Sequence, residues 1–264
     1  MPVRMNKLLQ NNLFQKSLIV ILLILIWEMT ARLGWVNQLL LPGFTTVGET
    51  FADQLRNGNL YIMTMFSLLM IVKGMLISLL MALVLSSLAM MFHWAENLVN
   101  VLNSIFHPLP GIALLPIAML WFGLSEASII FIIVHSVVWP LVINFLSGFR
   151  SIPPTIMEAG RNIGLQRAGL IWGIMLPAAA PYLISGIKIG WARAWQAAIA
   201  GEMVFGAVGT IGGLGWYIFK TRYDFHIAGT FAALLTIMVV GILIEEVLFK
   251  SLEKATVKKW GMSI

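Results

Sequence analysis

The sequence predicts an all-α integral membrane protein with six transmembrane helices, and three observations predict it. Of 264 residues, 59 % are hydrophobic and 11 % charged, with a mean hydropathy of +0.91. A soluble globular domain carries about 25 % charged residues, so this chain has too little charge to cover a water-facing surface. Its apolar residues are gathered into runs long enough for spans of about 20 residues each. The polar stretches between those runs hold the turn residues and most of the charge. Spans and short connections use up the length, so residues 1–264 are expected to form a single transmembrane domain.

Several chemistries drop out at once. Cysteine is absent, so there is no disulfide framework and no thiolate metal site. No Walker-type phosphate loop, HExxH or GxSxG occurs. The glycine-rich piece Gly209–Gly215 has the wrong spacing for a phosphate loop and no Lys-Ser or Lys-Thr after it. The four histidines are scattered, and Asp occurs only at positions 53 and 224. An intramembrane catalytic cluster is therefore not expected, and neither enzyme activity nor a bound cofactor or metal is assigned to this chain.

The first span is expected over about 17–36. A basic head with Arg4, Lys7 and Lys16 precedes it, as in a signal peptide, but no small-x-small cleavage site follows. Glu28 and Arg32 are four apart and can pair. Leu41-Pro42-Gly43-Phe44 reads as a turn, and Thr46-Val47-Gly48-Glu49 as a capping box opening a short helix to about Asn57. The second span, 60–92, is interrupted only by Lys73, which is expected to face protein or to snorkel to a headgroup.

His93–Asn97 is expected as a tight turn, and a kinked third span over 98–122 holds His107, Pro108, Pro110 and Pro116. After the turn at Gly123–Glu126, the fourth span, 128–147, carries His135 and Pro140. His135 could line a path or pack through a hydrogen bond. The fifth span, 178–200, contains Gly186-x-x-x-Gly190, a spacing that lets helix backbones approach closely. Residues 201–226 are too apolar for a solvent loop and too broken for a span, so a re-entrant or interfacial segment is expected. The sixth span is 227–249.

Charge sets the orientation. With the N-terminus inside, the inner segments hold Arg4, Lys7, Lys16, Arg150, Arg161, Arg167, Lys250, Lys254, Lys258 and Lys259, and the outer ones Arg32, Arg56, Lys220 and Arg222. This excess places both termini and the 150–177 loop in the cytoplasm. The net charge of +6 is thus accounted for by topology, and no nucleic-acid partner is needed.

The loop is the most informative stretch. Pro153 and Pro154 precede Thr155-Ile156-Met157-Glu158, a capping-box pattern that should start a short helix ending near Ile163. Gly164 supplies a break. Leu165, Ala168, Ile171, Trp172 and Met175 follow the 3/4 spacing of a second amphipathic helix, and Pro177 leads into the fifth span. On these grounds alone the pair could be an interfacial anchor on anionic headgroups, held by Arg161 and Arg167, or a lever gripped by a soluble partner.

Glu158-Ala159-Gly160, three residues, Gly164, nine residues, and Ile174-Met175-Leu176-Pro177 match the spacing of the EAA loop of ABC importer permeases. Gly160 departs from the pattern, in which Ala is commoner. Leu41-Pro42 through Val47, Leu114-Leu115-Pro116 with Trp121–Leu124, Pro153-Pro154, and Gly201-Glu202-Met203 with Gly213–Ile218 resemble the nitrate/sulfonate/taurine-type permeases. The resemblance implies a type I importer fold with a cytoplasmic coupling-helix loop. It further implies a bacterial inner-membrane location, a second permease copy, and an external binding protein. Two ATPase subunits would carry ATP and Mg.

By the same resemblance Glu158, Ala159, Gly160, Arg161, Gly164 and Pro177 form the ATPase-coupling set, with Ala159 and Gly160 permitting close docking. Lys188, near mid-membrane, and Arg193, Glu202, Met203 and His135 are substrate-path candidates. Lys188 and Arg193 suit an anion such as a sulfonate, taurine or nitrate; an internal ion pair is the other reading. Trp191 and Trp195 are expected to pack. An ABC permease for another solute, such as a vitamin precursor, and an ATP-independent carrier or channel remain the alternatives.

Overall fold

The computed structural model describes residues 12–207 and 211–256, and these form helices joined by short turns. Arg4, Lys7, Lys258 and Lys259 of the topology count lie outside the described residues. Two compact units are distinguished, residues 1–61 with 217–237, and 62–216 with 238–264.

In the first unit, α1 (Asn12–Arg32) begins earlier and ends earlier than the expected 17–36, because Gly34 turns the chain at φ +70°. Its Leu18–Ile26 stretch is apolar and mostly exposed, as a lipid-facing helix would be. Its last turns are anchored. Trp27 sits 5.5 Å from Phe44 and 5.4 Å from Phe231, and its Nε1 donates to the Pro42 carbonyl at 3.0 Å. The capping box at Thr46 does not form. Helix α2 (Phe44–Arg56) has its N-cap three residues earlier, at Gly43. Glu28 of α1 accepts the Thr45 N–H at 3.1 Å and its hydroxyl at 2.9 Å, while Arg32 holds the same carboxylate at 2.6 Å. An acceptor from the neighbouring helix serves the open N-terminal donors, which leaves Thr46 inside the helix.

In the second unit the long helix α3 (Leu60–Met91) has 32 residues. At 1.5 Å per residue it is about 48 Å long, well beyond a hydrocarbon core of about 30 Å. The expected turn at His93–Asn97 is instead the first turn of α4 (His93–Phe106); Phe92 alone, with φ −135° and ψ 124°, breaks the chain. The expected third span is two helices. Between α4 and the following Gly111–Phe122 pair, a 3-10 turn leading into α5 (Leu115–Phe122), the axis turns by 88°. Pro108 and Pro110 lack the N–H groups that would carry α4 onward.

Helix α6 (Glu126–Arg150) is the centre of this unit, with 61 % of its apolar window buried. Against it lies α9 (Ala180–Phe205). A Cβ added at Gly186 would stand 2.9 Å from Asn144 Cβ, one at Gly190 3.1 Å from Val137 Cγ1, and one at Gly148 of α6 2.8 Å from Tyr182 Cβ. Gly186-x-x-x-Gly190 thus meets a helix of its own chain, and buried Ala194, Ala198 and Gly201 continue the seam. Helix α3 crosses α6 where Gly74 lies against Ile133, and Lys73, the odd charge of that span, pairs with Glu126 at 2.8 Å. Arg150 at the other end of α6 pairs with Glu96 at 2.6 Å. The last long helix, Ile227–Ala255, comprises α11 (Ile227–Leu243), a π turn at Ile244–Phe249 and a final helical piece.

Overpacking a tight core costs about 1–3 kcal/mol. Gly186→Leu is therefore expected to lower the thermal unfolding midpoint in detergent, whereas Gly173→Leu, where an added Cβ meets nothing within 4 Å, should leave it near wild type. Differential scanning fluorimetry checks the pair.

Candidate functional site

Two arrangements in the second unit collect the residues with chemical potential. The first is the elbow between α6 and α9. Helix α7 (Pro154–Asn162) is capped by Pro153 with no side-chain hydrogen bond, so the capping box at Thr155 is not used. Pro154 at the first position has one orphan N–H fewer and a pre-set φ, which lets the helix begin there with Thr155 already inside it. The far end closes as a Schellman turn: Gly164, at φ +86°, donates to the Arg161 carbonyl at 2.9 Å, and Leu165 to the Gly160 carbonyl at 3.0 Å.

Glu158, Ala159 and Arg161 are exposed on α7. Gly160 is buried. A Cβ there would stand 2.8 Å from Leu170 Cδ2 and 3.6 Å from Leu165 Cδ1. Its missing side chain admits the chain's own next segment.

That segment runs Arg167–Leu170, then a π turn at Ile171–Met175, then Leu176–Ala178 with Pro177 in its first turn, and bends 73° into α9. The side chain of Arg167 lies outside the described positions. The π turn changes the expected face. With i→i+5 bonding, Leu170 and Met175, five apart, are buried, whereas Trp172 is 70 % exposed and Ala168 is exposed too.

The second arrangement is a cavity of about 280 Å³ between the broken His107–Ile112 segment, α6 and α9. His135, Ser136 and Trp139 contribute from α6, and Arg193 and Gln196 from α9. Gly111 lets the break settle on α6, since a Cβ there would stand 3.1 Å from the Ile132 carbonyl. Trp139 is held by Phe106, stacked at 5.5 Å and 13°, and the same ring meets His135 edge-on at 6.2 Å. Both ring nitrogens of His135 and Nε1 of Trp139 are buried without a hydrogen-bond partner among the described residues. Of the substrate-path candidates, His135 and Arg193 meet here. Trp139 and Gln196 were missed; they stand four residues after His135 and three after Arg193, a same-face spacing that could have found them.

The other candidates lie elsewhere. Lys188 is off the cavity and nearer the start of α9, while Arg193 holds its middle. It pairs with Glu253 and, at 3.6 Å, with Glu245, and lies over the Phe249 ring, so the internal ion pair is the role the structure gives it. Glu202 is fully buried. Its Oε2 accepts the Ser67 hydroxyl at 2.8 Å and the Gly215 N–H at 2.9 Å, and Ser67 Oγ in turn accepts the Leu214 N–H at 2.9 Å. Glu202 therefore ties α3 and α9 to the first turn of α10 (Leu214–Tyr223). Gly213 lacks the side chain that would collide with this carboxylate, and Gly215 the one that would meet the α9 backbone at Ile199 and Met203. Met203, half-buried beside it, is likewise absent from the cavity wall. Trp191 and Trp195 stack on each other at 5.9 Å.

Residues 74–258 match the family described as binding-protein-dependent transport system inner membrane component. SsuC of Bacillus subtilis, assigned to aliphatic sulfonates transport, is 27 % identical over 91 % of this chain and 85 % of its own length. The nitrate import permease NrtB of Synechocystis is 32 % identical over 53 % of this chain and 50 % of its own. Among solved structures, a chain of the MetNI methionine ABC transporter in inward-facing form superposes with a TM-score of 0.56 at 16 % identity, covering 81 % of this chain and 97 % of that one. It is similar in fold.

Removing the acceptor from a buried pair leaves its donors unsatisfied, at about 1–3 kcal/mol. Glu202→Ala is expected to lower the thermal midpoint in detergent. Glu202→Gln, which keeps an acceptor oxygen for the Gly215 N–H, should recover part of the loss.

Proposed function

This chain belongs to the family of binding-protein-dependent transport system inner membrane components, as an ABC importer permease of the nitrate/sulfonate/taurine type, and from that premise we propose how it is assembled, driven and loaded. Two copies pair in the cytoplasmic membrane of a bacterium, with both termini inside. Two ATPase subunits, holding ATP and Mg, dock on the cytoplasmic elbow, and an external binding protein delivers a small anion such as a sulfonate, taurine or nitrate.

The observation that carries the reading is the elbow. Glu158 and Ala159 are exposed on a short helix that Gly160 and Gly164 lock onto the next segment. Glu158 accepts hydrogen bonds from a basic group of the ATPase. Closure of the ATPase dimer then displaces α7 and its continuation as one piece. The 73° bend passes that displacement to α9, and the glycine seam obliges α6 to follow. Rigid-body motion of packed helices is a recognised route for alternating access.

Like charges brought together at an interface cost several kcal/mol. Glu158→Arg is expected to cut ATP-dependent uptake roughly tenfold or more, either by loss of ATPase copurification or by ATP hydrolysis without transport. Unchanged uptake together with unchanged copurification sinks the coupling role. Uptake by wild-type vesicles that needs neither ATP nor an ATPase subunit would favour an autonomous carrier.

A further inference from the structure

We propose that the cavity between the His107–Ile112 break, α6 and α9 is an anion site carried by the permease chain itself, taking a small monovalent oxyanion with at most a short aliphatic tail. This rests on the importer reading and sharpens it, because it gives the membrane chain a share of the selectivity. In this site Arg193 supplies the charge, and a small reorientation of the Trp139 and His135 rings turns their buried, unpartnered nitrogens toward the ligand.

Charge is the first argument. Arg193 lines the cavity, and no Asp or Glu does. It makes no ion pair among the described residues. Lys73 and Lys188, the other cations well inside the apolar stretches of this unit, have carboxylate partners: Lys73 has Glu126, and Lys188 has Glu253 and Glu245. The nearest acid along α9, Glu202, does not line the cavity, and its Oε2 is bonded to Ser67 and Gly215. An unpaired guanidinium at the middle of a membrane helix is costly and marks a path or a ligand. An entering anion supplies the missing charge.

The donor inventory is the second. Arginine offers five N–H donors and no acceptor, and indole only donates. Buried polar atoms are nearly always hydrogen-bonded, yet Trp139 Nε1 and both His135 nitrogens are not. A neutral imidazole adds one donor and one acceptor. The surplus of donors fits a ligand made of acceptors, and the planar guanidinium fork fits two oxygens of one group.

Shape and rigidity are the third. At about 280 Å³ the cavity sits at the small end of ligand pockets. Leu109, Ile112, Ala197 and Ala200 give it apolar walls beside the polar end, room for a short carbon tail. Phe106 stacks on the Trp139 ring and supports it from the side.

The test uses the transporter purified with its ATPase subunits in lipid nanodiscs. Ethanesulfonate is titrated while tryptophan fluorescence is followed, with nitrate as a tail-free competitor and choline chloride as a cation control. The expected result is a saturable change with ethanesulfonate and none with choline chloride. The change is lost in Trp139→Phe, shifted roughly tenfold or more to higher concentration in Arg193→Gln, and partly restored in Arg193→Lys. Displacement by nitrate at similar concentration assigns the affinity to the head group, and weaker displacement gives the tail a share. Copurification of the ATPase with Arg193→Gln verifies its assembly; if it does not copurify, Arg193→Lys and Trp139→Phe carry the comparison. An unshifted titration in the Arg193 variants, or no saturable response of the wild type to either oxyanion, overturns the site. Failure of the wild-type chain to retain an ATPase would instead strike the importer reading, and the same titration on the chain alone would still decide the site.

Discussion

The close contact of α6 with α9 is the constraint on which the second unit depends. Inside a bilayer, lipid is as apolar as a leucine side chain, so helices gain little from hiding apolar surface and must gain from close packing. Gly148, Gly186 and Gly190 remove the side chains that would hold the two backbones apart. Once the helices are this close, His135 and Trp139 of one and Arg193 and Gln196 of the other necessarily share a space. The elbow that enters α9 is attached to the same rigid pair.

Polar groups then fix what packing leaves adjustable. No water is available in hydrocarbon to satisfy an open N–H, and irregular backbone survives there only where protein or a cavity covers it. Ser67 and Glu202 do this for the start of α10 by receiving the Leu214 and Gly215 amides. Lys73 with Glu126 and Lys188 with Glu253 bind α3 to α6 and α9 to the last helix. Arg193, by contrast, has no ion pair among the described residues, and the ring nitrogens of His135 and Trp139 beside it are buried without a hydrogen-bond partner there.

The elbow follows a different logic, one of local backbone chemistry. Proline starts α7, a left-handed glycine ends it, and a π turn re-phases the segment that follows. Burial of Gly160 under Leu165 and Leu170 makes this a braced structure, so that load applied at Glu158 would reach the membrane helices rather than dissipate in the loop.

The sequence by itself determined the all-α membrane class, the breaks at Pro108, Gly164 and Pro177, and the family. Hydropathy, proline and glycine act on the residues that carry them, and the spacing around Glu158 is a linear pattern. Tertiary structure decided which partner each polar side chain met. Capping at Thr46 lost to a carboxylate from α1, and at Thr155 to a neighbouring proline. Lys188 and Glu202 found their partners in Glu253 and Ser67, 65 and 135 positions away. Trp172 turned outward because a π turn is a property of the hydrogen-bond register, which 3/4 spacing does not encode. A cavity is a relation between helices distant in sequence, and only the distance at which α6 and α9 pack brings its walls together.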